Sequence, residues 1–443
     1  MSLEQMIDNG VLWSREMTIA SPGRQRPRRS RSASQLVAAC AVAVLLTACS
    51  NTTASNDNSS RATSSSGQEI TAASVDQKAL AATVKKAFLT DLPVSELDPV
   101  VANAMAVAST PLNADQSRLL RTCLQKDVCD TGRGSLTVAF PNDNTNPWRS
   151  VFRAELTAQA VASPQIKRFI YNNASDVASF LANFRSLIAQ RVDVIVMDSI
   201  YASAILPVVK QAKQAGITVV QVQTPITGAV ADEVDSVIAP DLCQVYADGA
   251  KAVAKEVGSA STYALYTGIA GNSNAAVWQP CAQKALKDAG WTEATKGYTQ
   301  WTRQGEAEAA NALLASGKKV GAIVYDSTPD DFVKPYITEK RTPPVVLSDV
   351  SPYSWLRTFK EAQDAGLDPK GFISDSMVWY GRLGVTAGVM IEAGQSVTKK
   401  ITPPMPVVPV DTVLGLDDPA VPADTPVPSL LTPQEIKLAL SVS

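Results

Sequence analysis

Asp198, Asp326 and Asp349 each follow a short apolar run, at 192–197, 320–325 and 345–348. A carboxylate at the end of a strand can do one of two things. It can face a pocket, where a pair such as Asp326 with Asp349 could flank a glycosidic bond at the roughly 5 to 9.5 Å that glycoside hydrolysis needs, or it can cap the helix that follows. The rest of the chemical inventory is thin. The 443 residues include no histidine, which removes Ser-His-Asp and Cys-His nucleophiles, histidine general bases and imidazole zinc sites. No nucleophile elbow or phosphate-cradling glycine motif is present, so binding is expected rather than catalysis, with no metal and no cofactor. A net charge of −2 with mixed signs argues against nucleic acid as a partner.

The six cysteines have to be sorted by compartment. A basic zone at 24–31, an apolar run at 36–48 and small residues before Cys49 follow the order of a secretory signal. At about 1.5 Å per residue the apolar run falls short of the roughly 30 Å hydrocarbon core. Leu46-Thr47-Ala48-Cys49 resembles the bacterial lipobox. That resemblance implies cleavage before Cys49 and a lipid on its thiol, holding the protein on the extracytoplasmic face of the cell membrane. Met17 is an alternative start, and Arg28-Arg29 leaves the twin-arginine route open beside ordinary export. Cys40 leaves with the signal and Cys49 carries lipid, so Cys123, Cys129, Cys243 and Cys281 remain. In an oxidising compartment an even set suggests disulfides. Cys123 and Cys129 are close enough to close a small loop, leaving Cys243 for Cys281; buried free thiols are the alternative for the second pair.

These residues need elements to position them. Beyond the signal peptide (1–48) comes a Ser- and Thr-rich stretch (49–70) that reads as a stalk. Residues 71–133 read as a helical extension, with helices at 77–89, 100–108 and 114–124 interrupted by Pro93, Pro99 and Pro111. From 134 onward apolar runs alternate with amphipathic stretches. Strands are predicted at 136–140, 166–171, 192–197, 218–222 and 236–239, then at 263–266, 296–299, 320–325, 345–348 and 372–374, with helices between them. This βαβ alternation implies an α/β fold with parallel sheets covered on both faces. Residues 403–443 form a Pro-rich C-terminal strap, expected to lie extended over the surface.

The segment Phe140-Pro-Asn-Asp-Asn-Thr-Asn-Pro-Trp148 ends the first strand and opens a helix. It resembles the first βα turn of type I periplasmic sugar-binding proteins, the ribose-binding-like cluster. Landmarks at 194–198, 215–220, 268–274, 322–326 and 346–349, with Trp301 ahead of a helix, fall in the same order over roughly 134–402. The run Lys399-Lys-Ile-Thr-Pro-Pro-Met-Pro-Val-Val is similar to the end of actinobacterial sugar-importer binding proteins. The resemblance implies two Rossmann-like lobes, 134–238 with 376–402 and 239–375, joined by a hinge of three crossings near Ala239-Pro240, Ser374-Asp375 and Pro403. Carried across, the ligand site would contain Asn146, Trp148, Asp198, Gln223, Trp301, Asp326, Asp349 and Asp375, with the two tryptophans sandwiching a sugar ring. Trp278, Trp379 and Tyr380 could stand in for a misplaced aromatic.

The departures from the ribose-type pattern matter as well. Arg149 stands where a second aromatic is expected, Gln223-Thr224 replaces an Asp-Arg pair, and Ala276 or a neighbour replaces an arginine. Fewer arginines with the carboxylates kept points to another sugar, a polyol or an aminated ligand rather than ribose. The resemblance implies a monomeric, lipid-anchored solute-binding protein that closes on its ligand and delivers it to an ABC permease and its ATPase. A sensor subunit signalling to a membrane kinase or chemoreceptor uses the same closure, and a carboxylate-dependent glycosidase is the enzymatic alternative.

Overall fold

The computed structural model describes residues 69–442. The expected signal peptide, Met17, Cys49 and nearly all of the stalk lie outside the described residues. Three helices come first: α1 (Gln77–Phe88), α2 (Pro99–Ala108) and α3 (Ala114–Leu124). Asp76, Asp98 and Asn113 cap them by accepting the N–H of Ala79, Val100 and Gln116, donors that have no partner within the helix. Pro99 starts α2 rather than interrupting it, because the first helical position needs no N–H donor.

The alternating region then runs β1 (Val128–Asp130), β2 (Leu136–Asn142), α4 (Pro147–Ala162), β3 (Ile166–Asn173), α5 (Val177–Gln190), β4 (Val194–Met197), α6 (Leu206–Gln214), β5 (Thr218–Val222), α7 (Ala229–Glu233) and β6 (Ser236–Ile238). It continues through α8 (Leu242–Val257), β7 (Thr262–Thr267), α9 (Ser273–Asp288), β8 (Thr292–Tyr298), α10 (Arg303–Ala315), β9 (Ala322–Tyr325), α11 (Asp330–Thr338), β10 (Val345–Ser348), α12 (Tyr353–Asp364) and β11 (Gly371–Ile373). Last come α13 (Tyr380–Glu392), β12 (Lys400–Ile401), β13 (Val408–Pro409) and α14 (Pro433–Ser441).

Two sheets result, ordered β1-β3-β2-β4-β5-β6-β12 and β13-β11-β10-β9-β7-β8. Every pairing is parallel except β1 on β3 and β13 on β11. The inner strands β4, β5, β9 and β10 are buried along their whole length, as parallel strands covered by helices on both faces must be. Helix α13 follows the second sheet in sequence yet packs on β4 and β5 of the first. A Cβ on Gly384 would lie 2.3 Å from Val196 Cγ1 and one on Gly388 2.4 Å from Val194 Cγ1, so these glycines let the helix sit down on the sheet.

The chain passes between the lobes after β6, after β11 and between β12 and β13, the three crossings that the resemblance implied. A fourth connection follows. Arg357 on α12 holds the start of the strap through Asp417 at 2.9 Å and the carbonyls of Asp418 and Val421. Val427 donates its N–H to the Ser351 carbonyl at 2.7 Å and accepts from the Ser376 N–H at 3.1 Å. Ser429 Oγ and the Leu430 N–H then reach one oxygen of Glu155 on α4, whose other oxygen is ion-paired with Arg382 on α13. The tail does not simply lie over the surface, since Thr425, Val427 and Ser429 are fully buried. It ends in α14 against α3 and α4.

The helical extension is part of the first lobe's core. Leu80, Val84 and Phe88 are fully buried, and Phe88 meets Trp379 edge-on at 5.1 Å. The two disulfides pair as expected, Cys123–Cys129 joining α3 to β1 and Cys243–Cys281 joining α8 to α9. No described helix is long and apolar enough to cross a membrane.

Candidate ligand-binding site

The carboxyl ends of the strands in both lobes face one cavity of about 310 Å³. This is where open α/β sheets bind ligands, because the strand-to-helix turns leave polar groups there without a covering layer. The first lobe supplies Asn146, Trp148 and Arg149 from the β2–α4 turn, Ile200 after β4 and Gln223 after β5. Asn146 caps α4 through the Arg149 N–H at 2.8 Å, and its side-chain amide donates to Asn144 Oδ1 at 3.0 Å. Trp148 is half-buried and stacked on Phe152, with its indole N–H held by the Ser376 carbonyl at 2.8 Å. That bond orients the ring.

Arg149 explains why Asp198 lies outside the cavity wall. The guanidinium is buried, and it is ion-paired with Asp143 at 2.8 Å and Asp198 at 2.5 Å. A charge taken from water needs such partners. Asp198 spends its other oxygen on the Thr224 N–H at 3.2 Å. The substitution of arginine for the expected aromatic has thus turned a candidate ligand contact into its counter-ion. Gln223 does line the cavity, from a left-handed backbone position with φ of 61°.

From the second lobe come Trp301, Asp326 and Asp349. Gln300 and Trp301 both adopt left-handed φ, 55° and 50°, which folds the indole back over Gly268. A Cβ there would lie 2.0 Å from the ring, so only glycine accommodates the tryptophan in this pose. The Trp301 indole N–H donates to Asp326 Oδ1 at 3.1 Å, while Trp278 and Thr267 donate to Oδ2 at 3.1 and 2.6 Å. Burial nevertheless raises the Asp326 carboxyl to about 6. Asp349 is more isolated: Oδ1 has no partner, and burial together with repulsion from Asp326 pushes it up to about 8.

The remaining expected contact, Asp375, does not reach the cavity wall. It sits in the crossing from β11 to α13, where Oδ1 accepts the Met377 N–H at 2.8 Å and burial lifts the carboxyl well above its ordinary range. Six of the eight expected residues therefore converge, with Asp198 and Asp375 one layer behind. Trp278 is core, stacked on Tyr246 at 4.2 Å, and Trp379 and Tyr380 are buried against each other, so none of the three replaces a cavity aromatic.

Sequence reasoning missed Glu306, Arg303 and the strap residues Asp424 and Pro426, all of which line the cavity. Glu306 is 1% exposed; Oε1 accepts from Tyr325 at 2.9 Å, Oε2 has no partner, and burial raises the group to about 8. Nothing local separates it from Glu308 two residues on, which is exposed. Arg303 bonds Asp330, Ser354 and, at 2.7 Å, Asp424 of the strap. The lobes also touch directly, Ser273 Oγ donating to the Ile200 carbonyl at 3.3 Å. The arrangement can enclose and orient a polar molecule. Asp326 has both oxygens committed to fixed donors, which suits holding rather than proton transfer.

The comparisons with known proteins agree with this geometry. Residues 138–352 match the periplasmic binding protein domain family. Among solved structures, an ABC transporter solute-binding protein from Bacillus halodurans C-125, crystallised with myo-inositol, superposes with a TM-score of 0.56 at 16% identity over 64% of this chain and 98% of that one. A Mycobacterium smegmatis protein in complex with β-D-fucofuranose gives 0.55 at 16% identity over 63% and 94%. The periplasmic binding protein of the arabinose ABC transporter from Shewanella sp. ANA-3, bound to L-arabinofuranose, gives 0.56 at 18% identity over 63% and 93%. A comparison against curated protein sequences finds no match. Over residues 138–352 the chain matches a periplasmic binding protein domain, and its two α/β lobes share the fold of these solute-binding proteins.

Proposed function

We propose that this protein captures a sugar or polyol in the interlobe cavity and presents it to an ABC-type importer, while held on the extracytoplasmic face of the cell membrane by lipid on Cys49. The observation that carries this reading is the convergence on one cavity of Trp148 from the first lobe and of Trp301, Asp326 and Asp349 from the second. An indole face suits the C–H side of a sugar ring, and carboxylate oxygens suit adjacent hydroxyls. Contacts split between lobes make binding favour the closed form, which is all that closure requires. The structural relatives crystallised with inositol, fucofuranose and arabinofuranose support the same class.

Isothermal titration against a library of sugars and polyols tests the reading. With the ligand found, Trp301→Ala is expected to weaken binding by about 30-fold or more, the loss of a central aromatic contact. Gly268→Ala, which displaces the Trp301 ring without removing it, is expected to weaken binding by about tenfold or more. Normal affinity in both variants would refute the pocket assignment. Radiolabelled palmitate incorporation that disappears in Cys49→Ala tests the anchor.

A further inference from the structure

Three neighbouring strands of the second sheet each end in an aspartate: Asp326 directly after β9, Asp349 directly after β10 and Asp375 two residues beyond β11. Glu306 joins them from α10. We infer that the members of this group at the cavity wall, Asp326, Asp349 and Glu306, select a ligand bearing a protonated amine, an amino sugar or aminocyclitol, over its neutral hydroxyl counterpart. The inference rests on the carbohydrate reading above and narrows it.

None of these carboxyls is in a salt bridge among the described residues; Arg303 lies near enough to Glu306 to act on its charge but is paired elsewhere. Only two cationic side chains line the cavity, and both are taken. Arg149 is shared between Asp143 and Asp198, which leaves that cluster with an excess of negative charge. Arg303 is shared among Asp330, Asp331 and Asp424. The donors on Asp326 are a hydroxyl and two indoles, all neutral. At the cavity wall Asp349 Oδ1 and Glu306 Oε2 have no hydrogen-bond partner, although both residues are at least nine-tenths buried, and Asp375 Oδ2, one layer behind, has none either.

A neutral hydroxyl can donate to such an oxygen but brings no charge. An alkylammonium brings three donors and the missing positive charge, and charge-assisted bonds of this kind are about twice as strong as neutral ones. Burial pushes Asp349 and Glu306 up to about 8, Glu306 against the pull of Arg303, and an ammonium drawn beside them favours their ionised form and displaces those protons. Here the arginines face inward to their own aspartates.

The test is isothermal titration of matched pairs at one pH: D-glucosamine with D-glucose and N-acetyl-D-glucosamine, D-galactosamine with D-galactose and N-acetyl-D-galactosamine, and 2-deoxystreptamine with myo-inositol. The expected result is at least one amine bound about tenfold or more tighter than its neutral counterparts. Asp349→Asn and Glu306→Gln, which keep shape and remove charge, are expected to shrink that preference, with thermal melting confirming that each variant is folded. Neutral members binding as tightly as their amines would overturn the inference and leave the carbohydrate reading standing. Absence of binding by every member, aminated or neutral, would overturn both.

Discussion

At the scale of single residues, the site is governed by how charge is paired out of water. Arg149 holds two buried carboxylates, Asp143 and Asp198. Removing one partner of a buried ion cluster leaves the others uncompensated, typically at 3–5 kcal/mol. Arg149→Ala is therefore expected to destabilise the protein by about that amount in urea unfolding. Asp349 and Glu306 act in the opposite direction. Their folded pKa values stand at about 8, above the ordinary 3.8 and 4.5. The folded state thus keeps protons that the unfolded chain releases, a contribution fully present below about pH 4 and lost as pH rises through about 8. The ligand-free protein should show a falling melting temperature between about pH 5 and 8, and Asp349→Asn should flatten that slope. A slope unchanged by Asp349→Asn would place the titrating group elsewhere.

At the scale of elements, one cross-link ties two helices and the other ties α3 to the edge strand β1. Cys243–Cys281 spans 38 residues and joins α8 to α9, whereas Cys123–Cys129 spans 6. Loop-closure entropy predicts that losing the longer link costs about 4 kcal/mol and the shorter about 2 kcal/mol. Paired Cys→Ser variants compared by denaturant midpoint should fall in that order, and equal losses would show that native strain or residual structure dominates. Most elements were legible because parallel strands and their covering helices carry distinct apolar periods. The exceptions have local causes. Strand β1 is three residues long with only Cys129 buried, and β8, expected from 296, begins at Thr292 with little apolar character on the edge of its sheet. Helix α14 does carry a start signal, Thr432 and Glu435 in a capping box with Pro433 at the first position, but it follows a Pro-rich run that masks it.

At the scale of the whole molecule, the added helices and tail change what the two lobes can do. The extension α1–α3 and the terminal α14 form a further layer on α4 and α13. Between them runs the strap, a fourth tie across lobes that otherwise have three crossings. A tie held by Arg357 on one side and Glu155 on the other resists hinge opening, and it adds Asp424 and Pro426 to the cavity wall. A chain ending at Leu416 should give a larger radius of gyration in ligand-free scattering and about tenfold or more weaker ligand binding. Unchanged size and affinity would mean that the strap is only packing.

The sequence by itself determined the alternation of strands and helices, because it is written in local period and residue type; it suggested the Cys123–Cys129 pair by spacing, and the resemblance supplied the turns from which a pocket could be built. The resemblance brought Asn146, Trp148, Gln223, Trp301, Asp326 and Asp349 forward, and all six line the cavity. Only the tertiary structure decided that Asp198 and Asp375 stand behind that wall, that Glu306 and the strap stand in it, and that both cavity arginines are already neutralised. Counter-ion choice and burial depend on which distant segments meet, and no local pattern in the chain records that.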